Sequence, residues 1–189
     1  MATMFKQLGL IGCGLMGGSF ALAMKQAGLV ERIIGYSKSP STTERARQMG
    51  VIDQAAESAL LAVSGSDIVL LAVPVAATDI TFRAIRHLVN PEVLFMDVGS
   101  TKRDVVDAAR RVLKERVGAF VPAHPITGKE LAGVQNADVD LYKDRQVILT
   151  PIAATSKPLV DKAQAVWTAL GAHVQTMTPE AHDAAFAAV

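Results

Sequence analysis

Short apolar runs alternate along this chain with longer stretches in which apolar residues recur every third or fourth position. The short runs predict strands at Gln7–Ile11, Arg32–Tyr36, Ile68–Ala72, Val93–Asp97, Ala119–Ala123, Gln146–Thr150 and His173–Thr176. The longer stretches predict helices at Leu15–Ala27, Ser41–Met49, Glu57–Val63, Val75–Leu88, Lys102–Arg116 and Lys157–Leu170, with a last one from Pro179. Strands alternating with helices imply right-handed crossovers, hence an α/β fold on a doubly wound, mostly parallel sheet with helices on both faces. Ile68 to Val73 and Val93 to Met96 are apolar at every position. Central strands covered on both sides require that pattern.

Local signals agree with this parsing. Gly28 stands where the first helix needs a C′ residue. Ser41 with Glu44 three residues on reads as a capping box for the second helix. Thr178 before Pro179 reads as the cap of the last. Leu141-Tyr142-Lys143-Asp144 reads as a turn before a late strand. The last helix grows more apolar toward Phe186-Ala187-Ala188-Val189 and has no glycine stop. We therefore expect a dinucleotide-binding domain over residues 1–177, with residues 178–189 opening a helical second domain of a longer protein.

Composition narrows the function classes. The chain has 189 residues, 50% of them hydrophobic, enough for one substantial core. A net charge of +1 provides no basic field for nucleic acid. No apolar run has the length of a membrane span, and the first strand starts too early for a cleavable leader. The single cysteine, Cys13, excludes an internal disulfide and fits a reducing cytoplasm. Its place inside a glycine turn favours a packed side chain over a reactive thiol.

That turn, Gly12-Cys13-Gly14-Leu15-Met16-Gly17-Gly18-Ser19, follows a strand and opens a helix. In a Rossmann-type fold the first glycine of G-x-G-x-x-G allows the tight turn. The second lets a pyrophosphate approach the backbone, and the third lets helix and strand pack closely. The N–H groups and positive dipole end of the helix then face the phosphates, so Gly12, Gly14, Leu15, Met16 and Gly17 are expected cofactor contacts. The adenosine ribose is read at the end of the second strand, where an acid selects NAD. Here Ser37 stands 20 positions after Gly17, followed by Lys38 and Ser39, and no carboxylate lies between Glu31 and Glu44. A phosphate is tolerated by that loop, so NADP is favoured and NAD remains possible. Val73-Pro74, Gly99 and Ser100 complete the expected cofactor contacts.

Two segments in the second half carry the chemistry: Asp97-Val98-Gly99-Ser100-Thr101-Lys102, and Ala123-His124-Pro125-Ile126-Thr127-Gly128 with Glu130. Both are expected just past strand C-termini, where open α/β sheets place their sites. Together with the G-x-G-x-x-G-G-S turn, Asp140-Leu141-Tyr142 and Thr178-Pro179-Glu180-x-His182-Asp183, they resemble the prephenate/arogenate dehydrogenase family of tyrosine biosynthesis over nearly the whole chain. The resemblance implies NAD(P)-dependent oxidative decarboxylation of prephenate or arogenate to 4-hydroxyphenylpyruvate or tyrosine. It implies His124 as the group taking the hydroxyl proton and Ser100 as a residue beside nicotinamide and substrate. It also implies Glu130 at the pocket mouth, His182 at the domain junction, and a homodimer formed through a helical second domain. Lys129 departs from the small or hydroxyl residue expected there, and either attracts a substrate carboxylate or points to solvent.

The remaining candidates carry less. His87 reads as a surface residue and His173 as a partnerless strand residue, and neither has metal-ligand spacing, so no metal site is expected. Trp167 reads as core, and Phe186 as part of a domain interface. No Gly-x-Ser-x-Gly elbow or P-loop lysine occurs, which removes the hydrolase and ATPase readings. Two alternatives stay open: a β-hydroxyacid or imine reductase on a similar fold, and a non-catalytic nucleotide-binding regulatory module. The pairing of Ser100 with a His-Pro segment argues against both.

Overall fold

A computed structural model of the chain describes residues 3–128 and 130–187. The elements run β1 (Phe5–Ile11), α1 (Leu15–Gln26), β2 (Val30–Tyr36), α2 (Pro40–Gln48), β3 (Gln54–Ala55), α3 (Ala59–Val63), β4 (Ile68–Leu71) and α4 (Thr78–Ile85). They continue β5 (Leu94–Asp97), α5 (Lys102–Leu113), β6 (Phe120–Val121), β7 (Ala123–Pro125), β8 (Gln146–Leu149), α6 (Lys157–Ala169), β9 (His173–Thr176) and α7 (Pro179–Phe186). Six strands form a parallel sheet in the order β3-β2-β1-β4-β5-β6. The chain winds outward from β1 through β2 and β3, then returns to lay β4 on the other side of β1. The crevice outside the C-terminal ends of β1 and β4 is thus the topological switch point, where such sheets bind ligands. All four residues of β4 and of β5 are buried, as their unbroken apolar runs require. No helix among the described residues is long and apolar enough to cross a membrane.

The expected strand Ala119–Ala123 is split between two sheets. Phe120–Val121 closes the parallel sheet, whereas Ala123–Pro125 pairs antiparallel with β8, which pairs in parallel with β9. Pro122 is the cause: it has no N–H for a ladder. The next donor, Ala123 N–H, is taken by the Asp97 carboxylate at 2.9 Å. His124 therefore lies inside a short strand, opposite Ile148, and not beyond a strand end.

Two helix starts also shift. Ser39 is the N-cap of α2 and Pro40 its first residue, where a missing N–H costs nothing. Ser41 bonds the Ser39 hydroxyl instead of capping, and Glu44 pairs with Arg47. Ser58 caps α3 by accepting the Leu61 N–H. The helix expected to reach Arg116 ends at Leu113, where Lys114 takes a positive φ of 52°, and continues as a 3-10 segment, Lys114–Ala119. The two-residue β3 carries no periodic signal. Gly28 after α1 has φ +69°, and Thr178 Oγ1 caps α7 by accepting the Ala181 N–H, both as expected.

Behind the parallel sheet, α1 packs on the segment between β7 and β8. Phe20, Tyr142 and Trp167 form one buried aromatic cluster there, with ring centroids 5.1 to 6.5 Å apart. Gly18 lets this happen: a Cβ at Gly18 would stand 3.2 Å from Val134 and 3.3 Å from Ala137. The second glycine of the Gly17-Gly18-Ser19 run is thus a packing residue.

Candidate active site

Gly12 turns the chain with φ +95°, a conformation that excludes an ordinary side chain, and a Cβ there would run into the Ala72 carbonyl. Gly17 presses in the same way on the Gly12 carbonyl. Gly14 differs: a Cβ there would meet nothing within 4 Å. It is the N-cap of α1, contributes no side-chain cap, and leaves the first-turn N–H groups open. The space beside Gly14 is thus a cradle that a side chain would fill and a phosphate fits. Gly14→Ala should leave the melting temperature within about 2 °C of the parent, since the change adds only a small increment to stability. Its affinity for NADP⁺ should fall tenfold or more by calorimetry. Unaltered affinity would remove the cradle reading.

Two clefts meet at this glycine. One, of about 580 Å³, is lined by Gly12, Gly14, Tyr36, Ser37 and Lys38 on one side and Ala59, Ala77, Ile80 and Ala84 on the other. The second, of about 530 Å³, is lined by Leu15, Met16, Val98, Gly99, Ser100, His124, Thr127 and Leu131. Gly14, Ala72, Val73 and Pro74 line both, so the groove is continuous across the switch point.

Most of the expected site residues gather along this groove. Ser37 does so with its side chain already engaged: its Oγ accepts the Cys13 N–H at 2.9 Å, tying the glycine turn to the end of β2. Its own N–H donates to Thr43 Oγ1. Burial pushes the Cys13 thiol up, so it stays a packed, protonated side chain. Ser39 bonds Ser41 and does not line the groove. Glu130 is exposed and is not among the groove residues. Lys129 lies outside the described residues.

Around His124 the structure assembles groups that the sequence separates widely. His124 Nδ1 lies 2.8 Å from His182 Nε2, and His182 Nδ1 lies 2.7 Å from Asp183 Oδ1. A carboxylate only accepts, so His182 Nδ1 carries the proton, and in the neutral imidazole His182 Nε2 is the acceptor. His124 Nδ1 then donates, which leaves His124 Nε2 as an unprotonated lone pair. Asp183 is itself held by the Lys102 and Arg103 N–H groups at the start of α5, at 2.9 and 3.1 Å. Burial pushes its carboxyl up, but the Lys102 N–H, His182 and the Arg103 N–H together hold it below the usual range. The Phe186 ring packs edge-on against His124, with centroids 5.6 Å apart, and beside His182. In this structure Phe186 therefore covers the histidine pair.

Lys102 is fully buried beneath the site. Its Nζ donates to Asp97 Oδ2 and to the Ala123 carbonyl, both at 2.6 Å. Asp97 also accepts the N–H groups of Gly99 and Ala123. One ion pair thus fixes the loop that carries Ser100 and the strand that carries His124. Burial lowers the Lys102 pKa, and Asp97 pulls it back. Burial also holds His124 down to about 4, helped by the positive Lys102 and by His182 against the opposing pull of Asp183. Sequence reading placed Asp97 and Lys102 in a motif and gave neither a role. Asp183 likewise stood in a motif without a role, and its adjacency to His182 was the available signal.

A switch-point groove with an open glycine cradle at its centre, and a buried ion pair and a histidine along one wall, defines a dinucleotide-binding domain. Residues 20–176 match the family described as prephenate dehydrogenase, nucleotide-binding domain. The chain belongs to that family. It is 39% identical to the prephenate dehydrogenase of Bacillus subtilis over 92% of this chain and 47% of that protein. It is 33% identical to the cyclohexadienyl dehydrogenase of Zymomonas mobilis over 96% of this chain and 61% of that one. The crystal structure of Aquifex aeolicus prephenate dehydrogenase with hydroxyphenyl propionate and NAD⁺ superposes with a TM-score of 0.88 at 32% identity. That match covers 96% of this chain and 63% of that one. The chain therefore spans about half to three fifths of the length of its relatives.

Proposed function

We propose that this chain is the nucleotide-binding part of an NAD(P)-dependent oxidoreductase that oxidatively decarboxylates prephenate, arogenate or both, giving 4-hydroxyphenylpyruvate or tyrosine. The observation that carries this reading is the oriented His124–His182–Asp183 chain opening onto the same cleft as Ser100 and the glycine turn. Residues 1–177 form the dinucleotide-binding domain, and residues 178–189 open a helical domain for substrate and homodimer contacts. Two relatives that are dehydrogenases of this class support the assignment.

The residues fit the nucleotide. Leu15 and Met16 line the cleft, and the first-turn N–H groups of α1, that of Gly17 included, would take the pyrophosphate, with Ala59, Ile80 and Ala84 for the adenine and Val73, Pro74 and Gly99 for the nicotinamide. When bound, the nicotinamide supplies the acceptor for the hydride from the hydroxyl-bearing ring carbon. His124 Nε2 takes the hydroxyl proton as that C–O bond gains carbonyl character. The resulting imidazolium is stabilised by the Asp183 charge relayed through His182. The C–COO⁻ bond then breaks, CO₂ leaves, and its electron pair completes the aromatic ring. The ring oxygen recovers the proton from His124. Ser100 is a hydroxyl partner for the reacting C–O group.

NADP is the favoured cofactor. Ser37 and Lys38 line the outer cleft, and Glu44, the nearest following acid, is turned onto Arg47 and Gln48. Lys38→Ala should weaken NADP⁺ binding about three- to tenfold, since one exposed ion pair contributes about 1 kcal/mol, and should leave NAD⁺ unaffected. Ser37→Asp should move the preference toward NAD⁺. Unchanged ratios in both variants would remove the NADP reading. The activity is tested by following nicotinamide reduction with each cofactor against prephenate and arogenate in turn. Tight nucleotide binding without turnover of either substrate would favour the regulatory-module alternative.

A further inference from the structure

We infer that Tyr142, in the turn before β8, is a positioning residue for the cofactor: it fixes the peptide unit between Met16 and Gly17 so that the Gly17 N–H faces the pyrophosphate. Tyr142 is 1% exposed, and its hydroxyl donates to the Met16 carbonyl at 2.6 Å across 126 residues of sequence. A carbonyl and the N–H that follows it share one rigid plane and point in opposite directions. Pinning the Met16 oxygen from behind therefore aims the Gly17 N–H, one of the open donors of the first turn of α1. Donation to that oxygen also polarises the amide and strengthens its N–H as a donor.

The anchor is itself rigid. The Tyr142 ring is wedged against Phe20 and Trp167. The Ser19 hydroxyl accepts the Asp138 N–H at 2.9 Å, and Val134 and Ala137 lie against Gly18. The preceding residue, Leu141, gives its carbonyl to Thr127 Oγ1, on the wall of the cleft that holds His124. Burial also pushes the Tyr142 phenol up, which keeps it a donor at any working pH. The inference rests on nucleotide binding at the glycine turn and is independent of the substrate.

The test is Tyr142→Phe in the intact protein, which keeps the ring and removes only the hydroxyl. Calorimetric Kd values are compared for ADP-ribose, which has the pyrophosphate, and adenosine 2′-monophosphate, which lacks it. ADP-ribose should bind about five- to tenfold more weakly, the scale of one lost hydrogen bond, and the monophosphate equally well. Equal weakening of both ligands, or none, overturns the inference. Ser19→Ala is the control, because it removes the acceptor of the Asp138 N–H without touching the Met16–Gly17 peptide. If Ser19→Ala weakens ADP-ribose as much as Tyr142→Phe does, the effect is loosening of the segment and the inference fails. Absence of any ADP-ribose binding by the wild type would instead strike the nucleotide-binding reading, and the inference with it.

Discussion

His124→Asn should lower kcat by about two to four decades while the cofactor Kd stays where it was, the usual span for loss of a positioned base. Asparagine is polar and similar in reach, so it preserves a hydrogen bond toward His182 Nε2. It cannot accept a proton from the substrate hydroxyl. The loss corresponds to about 3–5 kcal/mol of transition-state stabilisation. The acid limb of the kcat/KM profile should belong to His124, and a pKa of about 4 would put that limb well below the ordinary histidine range. In the variant the limb should vanish. Activity within tenfold of wild type would show that another group takes the proton, and a limb that survives would assign it to another residue. The same depressed pKa has a stability consequence. Folded His124 binds fewer protons than the unfolded chain between pH 6.5 and about 4. The stability it contributes is full above 6.5 and is lost as pH falls through that window.

Lys102→Met should cost about 3–5 kcal/mol, because it strands the Asp97 carboxylate in the interior without its counter-charge. For a chain of this size that is a melting-temperature loss of about 6–20 °C. The variant should also move the acid limb of the pH profile upward. Among the described residues, the ionisable groups acting on His124 are Lys102 on α5, itself paired with Asp97 on β5, and His182 with Asp183 on α7. Lys102 is the cation that opposes a second positive charge on the imidazole, so its removal makes His124 easier to protonate. A melting temperature within 2 °C of the parent would show that the pair does not brace the site. An unmoved limb would show that the Lys102 charge does not reach His124.

Much of this architecture was legible because it rests on local periodicity. The apolar runs at Ile68 and Val93 became the central strands β4 and β5. Helices α1 and α6 fell within a residue of their expected ends, since recurring apolar positions and, for α1, a terminal Gly28 act over a few residues. The errors are local competitions won by side chains. Pro122 and the Asp97 carboxylate together broke one apolar run into two strands of different sheets. Pro40 took the first position of α2 and displaced Ser41 as cap. The site was half legible. His124 and Ser100 carry recognisable chemical neighbourhoods. Whether Ser37 was free to meet a ribose was not legible, because its engagement with Cys13 depends on two strands meeting.

The chain by itself determined its class: a glycine turn between a strand and a helix, alternating elements, and a histidine pinned by a proline. Each depends on residues within one or two turns of one another, where backbone sterics and periodicity act directly. Only the tertiary structure decided what those residues do together. It set His182 behind His124 across 58 residues, Asp183 over the start of α5, Lys102 beneath the segments that carry Ser100 and His124, and Tyr142 behind the glycine turn. Hydrogen bonds and ion pairs of that kind act over about 3 Å in space and carry no signature in sequence spacing. They are settled only when the sheet order brings the ends of β1, β4, β5 and β7 to one edge.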